Sequence, residues 1–145
     1  MTGLGVSLSE NCRLGLYSAL MEKAGSSQIG LADIGVSKGA VLDSFILSIG
    51  KGLARREVRL TMAGERGEAA LSGAYFGTGD ALIDTTTFVT HVAENATSRQ
   101  FFRGVLDDRS RGWPLYTSDA ADDLLFVAVG GRRACTDKRH TSLLM

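Results

Sequence analysis

The residues able to do chemistry in this chain are few and scattered. His91 is the only histidine within residues 1–112, and it follows the run Thr85-Thr86-Thr87-Phe88-Val89-Thr90. Positions 87, 89, 93 and 95 are Thr, Val, Ala and Asn, so no second ligand shares its strand face. A metal site needs several converging ligands, and the expectation is a hydrogen-bonded structural histidine. Cys12 occupies a slot held by Ala40, Ala69 and Ala96 in similar segments, which predicts a small packed core residue rather than a reactive thiol. Asp80 and Asp84 are the one close acidic pair in a strand-like region. On one strand face they would lie about 13 Å apart, wider than glycosidase carboxylate pairs. Ser98, in Thr97-Ser98-Arg99-Gln100, has no sequence-adjacent His or Asp to activate it.

The remaining candidates read as architecture. Gly50-Lys51 lacks both the earlier Gly and the following Ser/Thr of a P-loop. Gly73-Ala74-Tyr75-Phe76-Gly77-Thr78-Gly79 does not match the dinucleotide fingerprint and is expected to be a turn. Arg55, Arg56 and Arg59 form a basic strip interrupted by Glu57, expected to be a solvated strand face. Asp107-Asp108-Arg109-Ser110-Arg111 is expected to be a solvated loop with local ion pairs. The sequence therefore assigns no catalytic, cofactor-binding or metal-ligating residue, and the expectation is a protein that is not an enzyme.

The elements that would position these residues show in the spacing. Four segments share a polar turn, a small residue, a spacer and usually Leu. Their small residues are Cys12, Ala40, Ala69 and Ala96, at intervals of 28, 29 and 27. Such a period means stacked units. Period-2 alternation makes the units strands: Val58, Leu60 and Met62 share one face, with Arg55, Glu57, Arg59 and Thr61 opposite. In Leu42–Ile49, Phe45, Leu47 and Ile49 share one face and Ile46 the other. Gly, Asn and Lys punctuate the copies, as turns with positive φ require. Leu14–Ala24 is the best helical candidate, weakened by Gly15 and Tyr17. The reading is an all-β stack, a β-solenoid, with a β-sandwich as the alternative.

Composition sets the outer limits. Sixteen Lys+Arg balance 16 Asp+Glu in 145 residues, which argues against a non-specific nucleic-acid binder. No apolar run reaches the about 20 residues of a membrane-spanning helix, and no secretory signal is evident. Two cysteines 123 positions apart make neither a disulfide framework nor a CxxC site, so a cytoplasmic setting is expected. Sixteen of the 18 glycines precede residue 113, and the one Trp and one Pro follow at once as Trp113-Pro114. Residues 1–112 and 113–145 are accordingly read apart.

The stretch from Thr87-Phe88-Val89-Thr90-His91-Val92-Ala93-Glu94-Asn95-Ala96-Thr97-Ser98-Arg99-Gln100 through Phe101-Phe102-Arg103-Gly104-Val105-Leu106-Asp107-Asp108-Arg109-Ser110-Arg111-Gly112 resembles the SufB/SufD family. These are scaffold proteins of SUF iron–sulfur cluster assembly. Gly64-Glu65-Arg66-Gly67-Glu68-Ala69-Ala70-Leu71-Ser72-Gly73-Ala74-Tyr75, and Leu53-Ala54-Arg55-Arg56-Glu57-Val58-Arg59 before it, resemble the preceding turn of the same family. The Ser-Arg-Gln continuation and the Gly-Val-Leu-Asp-Asp-Arg-Ser-Arg-Gly run look more SufD-like than SufB-like. The resemblance implies a right-handed parallel β-helix core over 1–112. It also implies pairing with a SufB-like chain, and engagement of a SufC-type ATPase through C-terminal helices. The iron–sulfur cluster would be assembled by the full complex, with no cofactor in this fragment and no activity of the fragment alone. His91 matches a family histidine other than the cluster-associated one, so no ligand role is carried to it.

After Gly112 the family pattern stops. Leu115-Tyr116-Thr117-Ser118-Asp119-Ala120-Ala121-Asp122-Asp123 resembles translated sequencing-adapter read-through, and Gly130-Gly131-Arg132-Arg133 looks like its continuation. A non-native tail over 113–145, making few contacts with the core, is the expectation.

Overall fold

The computed structural model describes the backbone of residues 2–118 and 125–129, and side chains through residue 112. Ten strands alternate between two sheets. They are β1 (Thr2–Leu8), β2 (Arg13–Glu22), β3 (Ser27–Val36), β4 (Val41–Gly50), β5 (Leu53–Met62), β6 (Glu68–Gly77), β7 (Leu82–His91), β8 (Thr97–Leu106), β9 (Arg111–Ser118) and β10 (Leu125–Val129). Odd strands form one sheet, in the order β1-β3-β5-β7-β9, and even strands the other, β10-β8-β6-β4-β2. Every pairing is parallel. A parallel pair needs a crossover connection, and here the crossover from one odd strand to the next is the intervening even strand. The chain is thus a parallel β-solenoid, and the sandwich alternative falls. No helix occurs among the described residues, so Leu14–Ala24 is strand β2 and its flank, not a helix.

The inner face of each strand follows the alternation. In β5, Ala54, Val58, Leu60 and Met62 are buried, and in β8 exposed and buried positions alternate from Thr97 to Gly104. Most of the core is one cluster running through the stack, including Ile34, Val36, Leu42, Leu60, Met62, Leu71 and Phe102. At about 25 cal/mol per Å2, such apolar burial is what holds the two sheets face to face.

Register corrects the sequence repeat in one place. Arg13, Val41, Glu68 and Thr97 are successive partners, giving coils of 28, 27 and 29 residues. The residues just before them, Cys12, Ala40, Gly67 and Ala96, are therefore the equivalent corner positions. Ala69 lies two residues further on, paired with Leu42 and Ser98. A shift of two keeps the same strand face, which is why Ala69 imitated the pattern. Cys12 is exposed, contrary to the packed role expected of it. It adjoins β2, which has a partner on one side only among the described strands, so the first coil is covered from one direction.

The corners explain the punctuation. Asn11, Gly39, Arg66 and Asn95 all have φ between 56° and 64° and stack one above another. Three of the turns close with the same bond type: Cys12 N to Ser9 O, Ala40 N to Ser37 O, and Gly67 N to Gly64 O. The positive φ falls at the third turn residue, which favours Gly or Asn. Gly73–Gly77, expected as a turn, belongs to β6, and the turn is confined to Thr78–Asp80 and its neighbours.

The tail expectation falls largely outside the described residues, since nothing is described for 119–124 or 130–145. Where backbone is described, β9 continues in register along β7 as far as Ser118, and β10 pairs with β8.

Candidate functional site

The fold brings together a serine and a histidine that the sequence keeps seven residues apart. His91 ends β7 and Ser98 is the second residue of β8, both on inner faces, and His91 Nε2 lies 2.9 Å from Ser98 Oγ. A corner between the strands makes the contact, so no local motif announces it. Ser98 is 4% exposed. A nucleophile must reach substrate, and this hydroxyl faces the solenoid interior. Beside it, Thr87 Oγ1 donates to Gln100 Oε1 at 2.5 Å, with both side chains buried. Buried polar groups need partners, and these two pairs supply them across the space between the sheets. His91 therefore takes the structural, hydrogen-bonded role expected of it.

The acidic pair does not converge. Asp80 sits in the β6–β7 turn, where Arg109 binds both its oxygens, at 2.7 and 3.0 Å. The hydrogen bond and charge of Arg109 hold the Asp80 carboxyl below its usual range. Asp84 lies on the outer face of β7, 3.6 Å from Arg55, and accepts from Thr86 Oγ1. Each carboxylate is engaged with its own partners, and Asp80 is not on a strand at all. Arg109 bridges to the coil below rather than pairing within its own acidic run. Among the described residues no group of three or more His, Cys, Asp or Glu is placed to hold a metal ion.

The arginine strip also divides. Arg55 and Arg59 face outward, Arg59 onto Glu57 at 2.8 Å. Arg56 is on the inner face, its guanidinium and Cδ over Gly30, within about 3 Å of where a Cβ would stand. Its Nε is buried without a hydrogen-bond partner, and burial pushes its pKa down. It fills core volume that Gly30 leaves free, so the expected solvated face holds for its two neighbours only.

The two outer faces differ in kind. Across β3, β5 and β7 the outer rows read Ile29–Arg55–Asp84, Leu31–Glu57–Thr86, Asp33–Arg59–Phe88 and Gly35–Thr61–Thr90, with a shallow open hollow of about 380 Å3 beside Arg59 and Phe88. Across β2, β4, β6 and β8 two outer rows of the even sheet carry charge, Arg13–Val41–Glu68–Thr97 and Gly15–Asp43–Ala70–Arg99, and the three beyond them are mostly apolar. The first of these three is Tyr17–Phe45–Ser72–Phe101, the next Ala19–Leu47–Ala74–Arg103, the third Met21–Ile49–Phe76–Val105. Tyr17 and Met21 are 73% and 69% exposed, and Phe76, Phe101 and Val105 stand at 39–45%. The face that the alternation gives to Phe45, Leu47 and Ile49 is this outer one. The inner face of β4 carries Leu42, Ser44, Ile46 and Ser48. A contiguous exposed apolar face marks an interaction surface more than a reaction centre.

Residues 2–113 match the family described as SUF system FeS cluster assembly, SufBD core domain. No curated protein and no solved structure matches the chain.

Proposed function

The chain belongs to the SufBD core domain family, and from that premise we propose that it is a non-enzymatic scaffold piece of the SUF iron–sulfur assembly machinery. The observation carrying the reading is the coincidence of the family match over 2–113 with an uninterrupted parallel solenoid over the same residues. The outer apolar face and the dispersed, individually paired ionisable groups fit a platform rather than a catalyst. The proposed partners are a SufB-like chain and a SufC-type ATPase. The SufD-like character of residues 98–112 makes this chain the SufD side of that pair. The iron–sulfur cluster is the cargo of the complex, to which this chain contributes no ligand, and the setting is the cytoplasm. No helix among the described residues is long and apolar enough to cross a membrane.

Residues 113–145 are proposed to be foreign to the native gene. The family match ending at residue 113 supports this. Sequencing the source locus across the codon for Gly112 by an adapter-independent route tests it. A frame that continues into further solenoid strands upholds the proposal, and a genomic Trp113-Pro114-Leu115 overturns it. The scaffold reading is tested by co-expressing the protein of that locus, tagged, with a SufB-like chain and a SufC-type ATPase. Co-purification of both is expected, and recovery of neither overturns it. The 145-residue chain alone is expected not to retain the ATPase. Retention would overturn its assignment as an inactive fragment.

A further inference from the structure

We draw no further inference here: the strongest candidate, the shallow open hollow on the outer face of the odd sheet beside Asp33, Arg59 and Phe88, is lined by an arginine already bound to Glu57 and an exposed carboxylate, and nothing in the structure shows what covers it.

Discussion

Gly104 is a position where a side chain has no room, because a Cβ there would stand 1.8 Å from the Tyr75 ring. Tyr75 and Gly104 are register partners on the inner face of neighbouring coils, and Ser48 is the partner on the other side. The adjacent inner row reverses the order, with the Phe102 ring over Gly73. Large and small residues thus alternate between coils, so the interior closes at the density of a packed core. Gly104→Ala is expected to lower stability by about 2–3 kcal/mol, read from the midpoint of chemical denaturation. In a Tyr75→Leu background the same change should cost under about 1 kcal/mol, because the two sites couple through one volume. Equal costs in both backgrounds would place the strain elsewhere. None of this is legible along a single strand. Ser48 has a buried place because register sets Tyr75 beside it, and Arg56 reads as solvated until Gly30 is found beneath it.

At the scale of the element, the turns were the most legible part of the sequence. Asn11, Gly39 and Asn95 are residues that tolerate positive φ, and each directly precedes one of the small residues, Cys12, Ala40 and Ala96, whose spacing gives the repeat. Arg66 is the exception in that column, with φ 57°. A left-handed conformation costs an ordinary residue about 1–2 kcal/mol. Arg66→Gly is expected to recover about 1 kcal/mol less the entropy that glycine restores to the unfolded chain, and Arg66→Asn a similar amount. A thermal melt unmoved by both would show that the turn is not strained. The same exception explains the misplaced third repeat. With Arg66-Gly67 where the other copies have Asn or Gly and a small residue, Ala69 offered the better match. The opposite corner carries the Arg109–Asp80 pair. Arg109 lowers the Asp80 pKa below its ordinary value of about 3.9, so the folded chain binds that proton less tightly than the unfolded chain. The contribution of the pair is complete above about pH 3.9 and is lost as pH falls through the folded value. Both side chains are exposed, at 81% and 72%, so the effect is small and screened by salt. The difference in melting temperature between the native chain and Asp80→Asn should be present near pH 6 in dilute buffer. It should close both on acidification towards about pH 2 and in about 1 M salt. A difference indifferent to both would mean that the amide disturbs the turn.

For the molecule as a whole, the arrangement of contacts decides how stability is distributed. Among the described residues each strand pairs only with the strands two before and two after it, so each coil depends on its immediate neighbours. Stability in such a stack is a sum over coils and interfaces, and a coil covered on one side has one interface term fewer. The inner row that begins at Leu4 shows the consequence. Leu4 is 40% exposed, while its partners further in, Ala32, Val58 and Thr87, are at 1%, 1% and 0%. Leu14 and Leu16 of β2 are likewise half-buried, whereas Leu42 and Leu71 in the following coils are at 1%. Hydrogen exchange should therefore be graded. Amides of β1 and β2 should open at the lowest free energy, by local fraying, and those of β4 to β7 only near the global value. The expected result is protection factors rising by at least about tenfold from β2 to β4, with the gradient flattening in mild denaturant as global unfolding takes over. Uniform protection from β1 to β7 would mean that the coils unfold as one unit. The edge would then be stabilised by something other than the buried rows, most simply by association of the exposed strands β1 and β2 between molecules. Repeating the exchange at two protein concentrations separates those outcomes. Protection of β1 and β2 that grows with concentration identifies edge pairing, and protection independent of concentration leaves the single cooperative unit as the explanation.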